Sequence, residues 1–337
     1  MSTSDAQARA LAILPKTTGC ISIIGSSIIA FSVLRDKQKL SKSYHRLLLG
    51  MSLVDVLVSF WEALSTWPMP TDSEAMFASG NFSTCVMQGF FIQFYVVSSF
   101  YSVSLAIYYT VVLRYNWSED QVKKLEPYLH SIPLLWGFAT GIIGISLKLY
   151  NPAGLWCWIS PFPGGCSGDE CIRGINGNTY RWAFFYGPLW ANIAFVTIAM
   201  ALVWVNVRKG ASPTNNSDSA SMNGSRHSTT KQQKTQLLKN DTGALERDQL
   251  AKKIKRDVAF QGFLYSGSFY VTWIWLTAVR FLQLIGEPVP YQLLAAAAFF
   301  APLQGFFNAL IYLSPKFMAV KKANPDAGLL RWIRDAI

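Results

Sequence analysis

Asp55 and Glu62 stand in an otherwise apolar stretch, seven residues apart, a spacing that on a helix places them two turns apart on one face. Such a carboxylate ladder can hold water, a cation or a proton between alternative arrangements of the chain. Asn308 and Tyr312, at i and i+4 in another apolar stretch, share a face and can hydrogen-bond towards Asp55. Unpaired polar groups in apolar surroundings are costly, so Asp55, Asn308 and Tyr312 are expected to form one buried relay. Arg280, near the end of a third stretch, either snorkels to water or holds an anionic ligand. Trp182, Phe184, Phe185, Tyr186 and Trp190 either line a pocket or form an interfacial aromatic belt, and Pro188 among them is expected to bend its helix and free a carbonyl. The candidate ligand pocket is drawn from Glu62, Trp158, Tyr186, Trp190 and Arg280. No nucleophile–base constellation accompanies these residues, and His45, His130 and His227 lack metal-ligand spacing. The expectation is therefore a protein that is not an enzyme and takes no cofactor or metal.

The elements that must position these residues are seven apolar stretches, at 11–34, 47–67, 86–113, 131–150, 182–205, 258–285 and 291–313. A helix of roughly 20 residues crosses a hydrocarbon core of about 30 Å, and in lipid the backbone must satisfy its own hydrogen bonds. A soluble bundle of buried helices would keep polar faces, whereas these stretches carry hardly any charge. The composition, 51% hydrophobic and 15% charged with mean hydropathy +0.24, agrees. The predicted fold is an all-α membrane protein, a seven-transmembrane helix bundle. The net charge of +11 lies in the linkers, not on one surface, and so marks topology and not nucleic-acid binding. Arg35 to Arg46, Arg114 to Lys124, Arg208 to Arg256 and Lys316 to Lys322 follow the odd-numbered stretches, while 68–84 has no Lys or Arg. These basic loops are expected inside, which puts the N-terminus outside and the C-terminus inside.

Along the chain this gives a short outer N-terminus (1–10), helices one to five with their loops (11–207), a disordered basic third inner loop (208–256), helices six and seven (257–313), and a cytoplasmic tail with a short amphipathic helix (314–337). The first span is expected to act as its own targeting signal. Cys85, Cys157, Cys166 and Cys171 all fall on the outer, oxidising side, where four cysteines allow three pairings. The expected pairs are Cys85–Cys157, tying the outer loop to helix three, and Cys166–Cys171, closing a Gly-rich loop. Cys20 is expected to be a buried small hydrophobe. Asn81 is the outer sequon and the expected glycosylation site. The low-complexity run 212–243 offers Ser225, Ser228, Thr229 and Thr230 beside basic residues as candidate kinase sites, and 244–256 reads as an extension of helix six.

Pro302-Leu303-Gln304-Gly305-Phe306-Phe307-Asn308-Ala309-Leu310-Ile311-Tyr312 and Trp156-Cys157-Trp158-Ile159 resemble the slime-mould cyclic AMP receptor-like and fungal glucose receptor-like branch of the G-protein-coupled receptors. A weaker similarity runs to the secretin-type transmembrane domain, through the Gln-Gly-Phe step and the Cys-Trp pair. Leu47 to Asp55 is similar to the helix-two pattern of such receptors. The acidic-Arg-Tyr triplet of the rhodopsin-like branch is replaced by Tyr108-Tyr109-Thr110, the proline after the helix-six tryptophan is missing, and Ala309 stands where Asn-Pro would continue. The resemblance implies a multi-pass plasma-membrane receptor whose partners are membrane lipid, an extracellular small-molecule ligand, a heterotrimeric G protein and kinases acting on the third inner loop. The alternative reading is a seven-span transporter of small solutes. It would be marked by internal repeats, which helices one to three and five to seven do not show.

Overall fold

A computed structural model describes residues 4–211, 231–325, 328 and 331. The long helices, in chain order, are α1 (Asp5–Leu34), α2 (Ser43–Ala63), α3 (Phe82–Leu113), α4 (Glu119–Ser146), α5 (Gly177–Arg208), α6 (Lys231–Leu284) and α7 (Tyr291–Ala323). Five of them, α1, α3, α4, α5 and α7, are long and apolar enough to cross a membrane. Each overlaps one of the apolar stretches, and the stretches 47–67 and 258–285 fall largely on α2 and α6.

The helix ends differ from the apolar boundaries for a physical reason: caps, not hydropathy, decide where a helix begins. Ser4 and Gln7 form a capping box, so α1 starts at Asp5 and most of the expected outer N-terminus is helical. Ser118 and Gln121 form another, and α4 begins at Glu119, well before the apolar stretch. The expected disordered loop is helical from Lys231 onward, beyond the extension expected at 244–256, while Ser225, Ser228, Thr229 and Thr230 lie outside the described residues. α7 runs through Pro315 to Ala323, so the start of the expected tail continues the helix, while most of 326–337, where the expected amphipathic helix could fall, lies outside the described residues.

Small residues bring α1, α2 and α7 together, as they do where lipid-soluble helices must approach closely. A Cβ on Gly19 of α1 would lie 2.9 Å from the Cβ of Ala63 on α2. Cys20, next to it, faces away from these neighbours and is exposed; the expectation that it is buried was wrong because the small-residue face of α1, with Gly19, Ser22, Gly25 and Ser26, turns inward.

Between α4 and α5, β1 (Tyr150–Pro152) pairs antiparallel with β2 (Cys157–Ile159), Asn151 opposite Trp158. Both expected disulfides are closed, Cys85–Cys157 with Cα atoms 5.2 Å apart and Cys166–Cys171 with Cα atoms 5.3 Å apart. The first fixes the hairpin to the first turn of α3.

Candidate functional site

The buried centre of the bundle is a hydrogen-bond network across four helices. Asp55 on α2 is 3% exposed, and both its oxygens are engaged: Ser98 of α3 donates to Oδ1 at 2.7 Å and Asn308 Nδ2 of α7 donates to Oδ2 at 3.0 Å. Asn308 Oδ1 in turn accepts from Gln304 Nε2 at 3.2 Å, and Gln304 Oε1 accepts from Thr272 of α6. α2, α3, α6 and α7 are thus joined through one carboxylate and two amides. A network this buried is stabilising when every member is satisfied and costly when one partner moves.

Tyr312 is not part of it. Its hydroxyl lies 3.2 Å from Ser32 Oγ of α1, one turn beyond Asn308 and towards the end of α7 that carries the lysines. A shared face was a correct reading, but a turn of α-helix advances about 5.4 Å, enough to pass Asp55 and reach α1 instead.

The local backbone of α7 explains how Gln304 and Asn308 are aimed. Pro302 has no N–H to continue the helix, and Ala301–Leu303 is a 3-10 turn between two α-helical halves. Tyr95 of α3 donates to the Ala301 carbonyl, and the Gly305 N–H donates to Ser22 Oγ of α1 at 3.1 Å. Gly305 is required by the approach of α1, because a Cβ there would lie 2.0 Å from Ser26 Oγ. The Gln-Gly-Phe step therefore supplies one network amide and one close helix contact.

Above the network lies an aromatic layer. Trp273 of α6 is 1% exposed and packs at a tilt against Tyr95 and Phe185, with ring centroids 4.3 and 5.4 Å away, and Phe185 meets Trp158 at 4.7 Å. Arg280 crowns this layer: its Nε donates to Tyr186 at 3.2 Å and its guanidinium lies 5.8 Å from the Trp158 ring. It lines two cavities. One, of about 390 Å³, is walled by α1, α6, α7, Glu74 and the hairpin residues Leu155 and Trp156; the other, of about 320 Å³, lies between α5 and α6 beside Arg181 and Trp182.

The candidate pocket residues are thus placed unequally. Arg280 lines both cavities and Tyr186 lines the second, while Trp158 is buried beneath them. Glu62 does not reach either: it is 1% exposed, among the helices, with Oε1 lacking a hydrogen-bond partner. Trp190 is 48% exposed on the outside of α5. A π-helical turn at Trp182–Tyr186 resets the phase of α5, so that Tyr186 and Leu189 face inward and Trp190 outward. Pro188 frees the carbonyl four residues back, as expected: Phe184 O accepts from Trp136 Nε1 at 3.1 Å and Gln93 Nε2 at 3.4 Å.

Two glutamines that composition did not single out fasten the β1–β2 hairpin. Gln88 donates to the carbonyls of Trp61 and Ser65 at 2.9 and 2.8 Å while its Oε1 accepts from Cys157 N at 2.8 Å. Gln93 Oε1 accepts from Trp158 Nε1 at 3.0 Å. Their presence in an apolar stretch was the available signal. At the opposite end of the bundle, Gly262 of α6 packs on Tyr109 of α3, and Asn206 of α5 donates to Leu113 O at 3.0 Å, so the ends of α3, α5 and α6 are held together.

No protein-family model matches the chain, and no curated protein matches it. Among solved structures, squid rhodopsin is similar with a TM-score of 0.61 at 15% sequence identity, over 100% of this chain and 93% of that one. At this identity the likeness concerns the fold alone: the chain folds like squid rhodopsin, and five of its helices are long and apolar enough to cross a membrane.

Proposed function

We propose that the chain is a plasma-membrane receptor with seven spans, N-terminus outside, which transmits an extracellular small-molecule signal to an intracellular heterotrimeric G protein, and that it belongs with the cyclic AMP receptor-like branch. The observation that carries this reading is the continuous buried path from Arg280 through Tyr186, Trp158, Phe185 and Trp273 to Thr272, Gln304, Asn308 and Asp55. It joins a cavity at the disulfide-tethered end to the helices whose far ends are packed shut.

A ligand that engages Arg280 more strongly in one arrangement of α6 than in another shifts the population of that arrangement. Movement of α6 carries Thr272 with it, and Gln304 and Asn308 must exchange partners or leave a buried polar group unsatisfied. Separation of Gly262 from Tyr109 would then open a cleft for a G protein between the inner loops. Coupling is reciprocal, so bound G protein raises ligand affinity by the same factor. Ser225, Ser228, Thr229 and Thr230, between α5 and α6, offer kinases a substrate on the same side, and Asn81 offers a glycan acceptor on the other.

The test is guanine-nucleotide exchange on a panel of purified G proteins by the chain reconstituted in lipid nanodiscs, screened against a small-molecule library. Ligand-stimulated exchange that is lost in Arg280→Ala is expected. Exchange that stays basal across the panel, with uptake of a screened solute into vesicles, would replace the receptor by a transporter.

A further inference from the structure

Lys39 and Lys316 converge on one hydroxyl. Lys39, in the short helix Lys37–Leu40 that follows α1, donates from Nζ to Ser32 O at 2.9 Å and to Ser32 Oγ at 2.7 Å. Lys316, on the last turns of α7, reaches the same Oγ at 3.5 Å, and both ammonium groups lie over the Tyr312 ring, at 5.9 and 5.7 Å from its centroid. The two nitrogens are therefore no more than about 6 Å apart, close enough for like charges to repel appreciably at the edge of a low-dielectric bundle.

Asp36 lies near enough to favour the charge on Lys316, but neither lysine forms an ion pair among the described residues. The adjacent Asp36 uses Oδ1 to cap its own short helix, accepting from the backbone of Gln38 and Lys39. Ser32 Oγ, already shared with Tyr312, offers two ammonium groups a single neutral oxygen. The arrangement is short of an anion with at least two acceptor oxygens. A phosphate group, taking a charge-assisted bond of about 2.8 Å from each lysine on different oxygens, has the span required.

The surroundings select the source of that phosphate. Phe31, Leu34 and Met318, on the same turns of α1 and α7, are 57, 56 and 71% exposed, an apolar flank that acyl chains would cover and that free phosphate would leave bare. We propose that Lys39, Lys316 and Ser32 form a binding site for the phosphate monoester headgroup of an anionic membrane lipid, held between α1, the loop after it and the end of α7. Because α7 also carries Asn308 and Gln304, occupancy would brace the helix that the central network depends on. The site stands on its own geometry, whether or not a G protein is the partner.

The experiment measures binding of short-chain phosphatidic acid, short-chain phosphatidylcholine and inorganic phosphate to the purified full chain in detergent. Phosphatidic acid is expected to bind at least about tenfold more tightly than either of the others, with Lys39→Gln/Lys316→Gln abolishing that preference and Lys39→Arg/Lys316→Arg keeping it. Lys37→Gln/Lys42→Gln, an equal charge change beside the site, is expected to alter the affinity less than about threefold. Binding of phosphatidic acid no tighter than phosphatidylcholine or inorganic phosphate overturns the proposal. So does an equal loss in the neighbouring pair, which would mark diffuse attraction to basic residues. Should the double glutamine variant not purify as a monodisperse species, Lys316→Gln alone and the wild-type comparison of the three probes decide the matter.

Discussion

Asp55 has no spare oxygen: Ser98 and Asn308 each occupy one, and Asn308 depends on Asp55 for the acceptor of its amide. Asp55→Asn replaces one acceptor oxygen by a donor: turned towards Asn308 it opposes two donors, and turned towards Ser98 it forces that hydroxyl to give up donating and accept instead. The substitution is expected to alter nucleotide exchange and to lower thermal stability by about 1–3 kcal/mol. Its effect should be non-additive with Asn308→Ala by about 0.5–3 kcal/mol, since both break the same bond. Tyr312→Phe, whose hydroxyl belongs to Ser32, should add independently to either. Additivity between Asp55→Asn and Asn308→Ala, at matched surface expression, would reduce the network to two unrelated contacts. This pair was legible in the sequence because a carboxylate and an amide deep in apolar stretches have few partners other than each other. Tyr312 was misassigned because periodicity gives the face of a residue and not its depth relative to another helix. Gln304, Gln88 and Gln93 were passed over since an uncharged amide in an apolar run carries no sign of which helix it will meet.

At the scale of elements, α7 shows what a motif can encode beyond composition. Proline interrupts the helix at Pro302, glycine admits α1 at Gly305, and the amides at Gln304 and Asn308 turn inward between them. Gly305→Ala places a methyl group against Ser26 Oγ and Ser22 Oγ, at 2.0 and 2.7 Å in the unrelaxed structure, so α1 and α7 must separate. Overpacking of this kind costs about 1–3 kcal/mol, and a lower melting temperature with reduced exchange is expected. Ser26→Ala removes the closer of the two atoms, and the double variant should recover part of the loss; a double variant no better than Gly305→Ala would show that the α1–α7 contact is not the cause. Hydropathy located these helices but not their ends, because the capping residues Ser4 and Ser118 stand in polar sequence where lipid-crossing length has no bearing. The outward turn of Trp190 was hidden for a related reason: the π-helical turn before it changes the phase of α5 without any change in composition.

For the whole molecule, two independent features of the sequence converge on one sidedness, the basic loops at one end and the paired cysteines at the other. The bundle itself was legible from the apolar stretches, and its likeness in fold to squid rhodopsin at 15% identity shows how little of a sequence such an architecture constrains. Orientation is a separate matter that a glycan can report. Asn81 and Asn116 flank opposite ends of α3, whose 32 residues span about 48 Å, so an enzyme confined to one side of the membrane reaches one of them and not the other. Asn81 is exposed, and its side chain caps α3 by accepting from the backbone of Ser83 and Thr84 at 2.9 and 3.1 Å. Asn81→Gln would therefore remove the cap along with the sequon, at a cost of about 1 kcal/mol, and confuse lost glycosylation with lost folding. Ser83→Ala destroys the sequon and leaves the capping oxygen and both backbone donors in place. In a glycosylating host, wild-type chain is expected to show a glycosidase-sensitive mass shift that Ser83→Ala eliminates and that Asn116→Gln, Asn215→Gln, Asn223→Gln and Asn240→Gln leave intact. A shift that persists in Ser83→Ala and disappears with one of those four substitutions would place the basic loops outside, with the Arg280 cavities facing the cytoplasm.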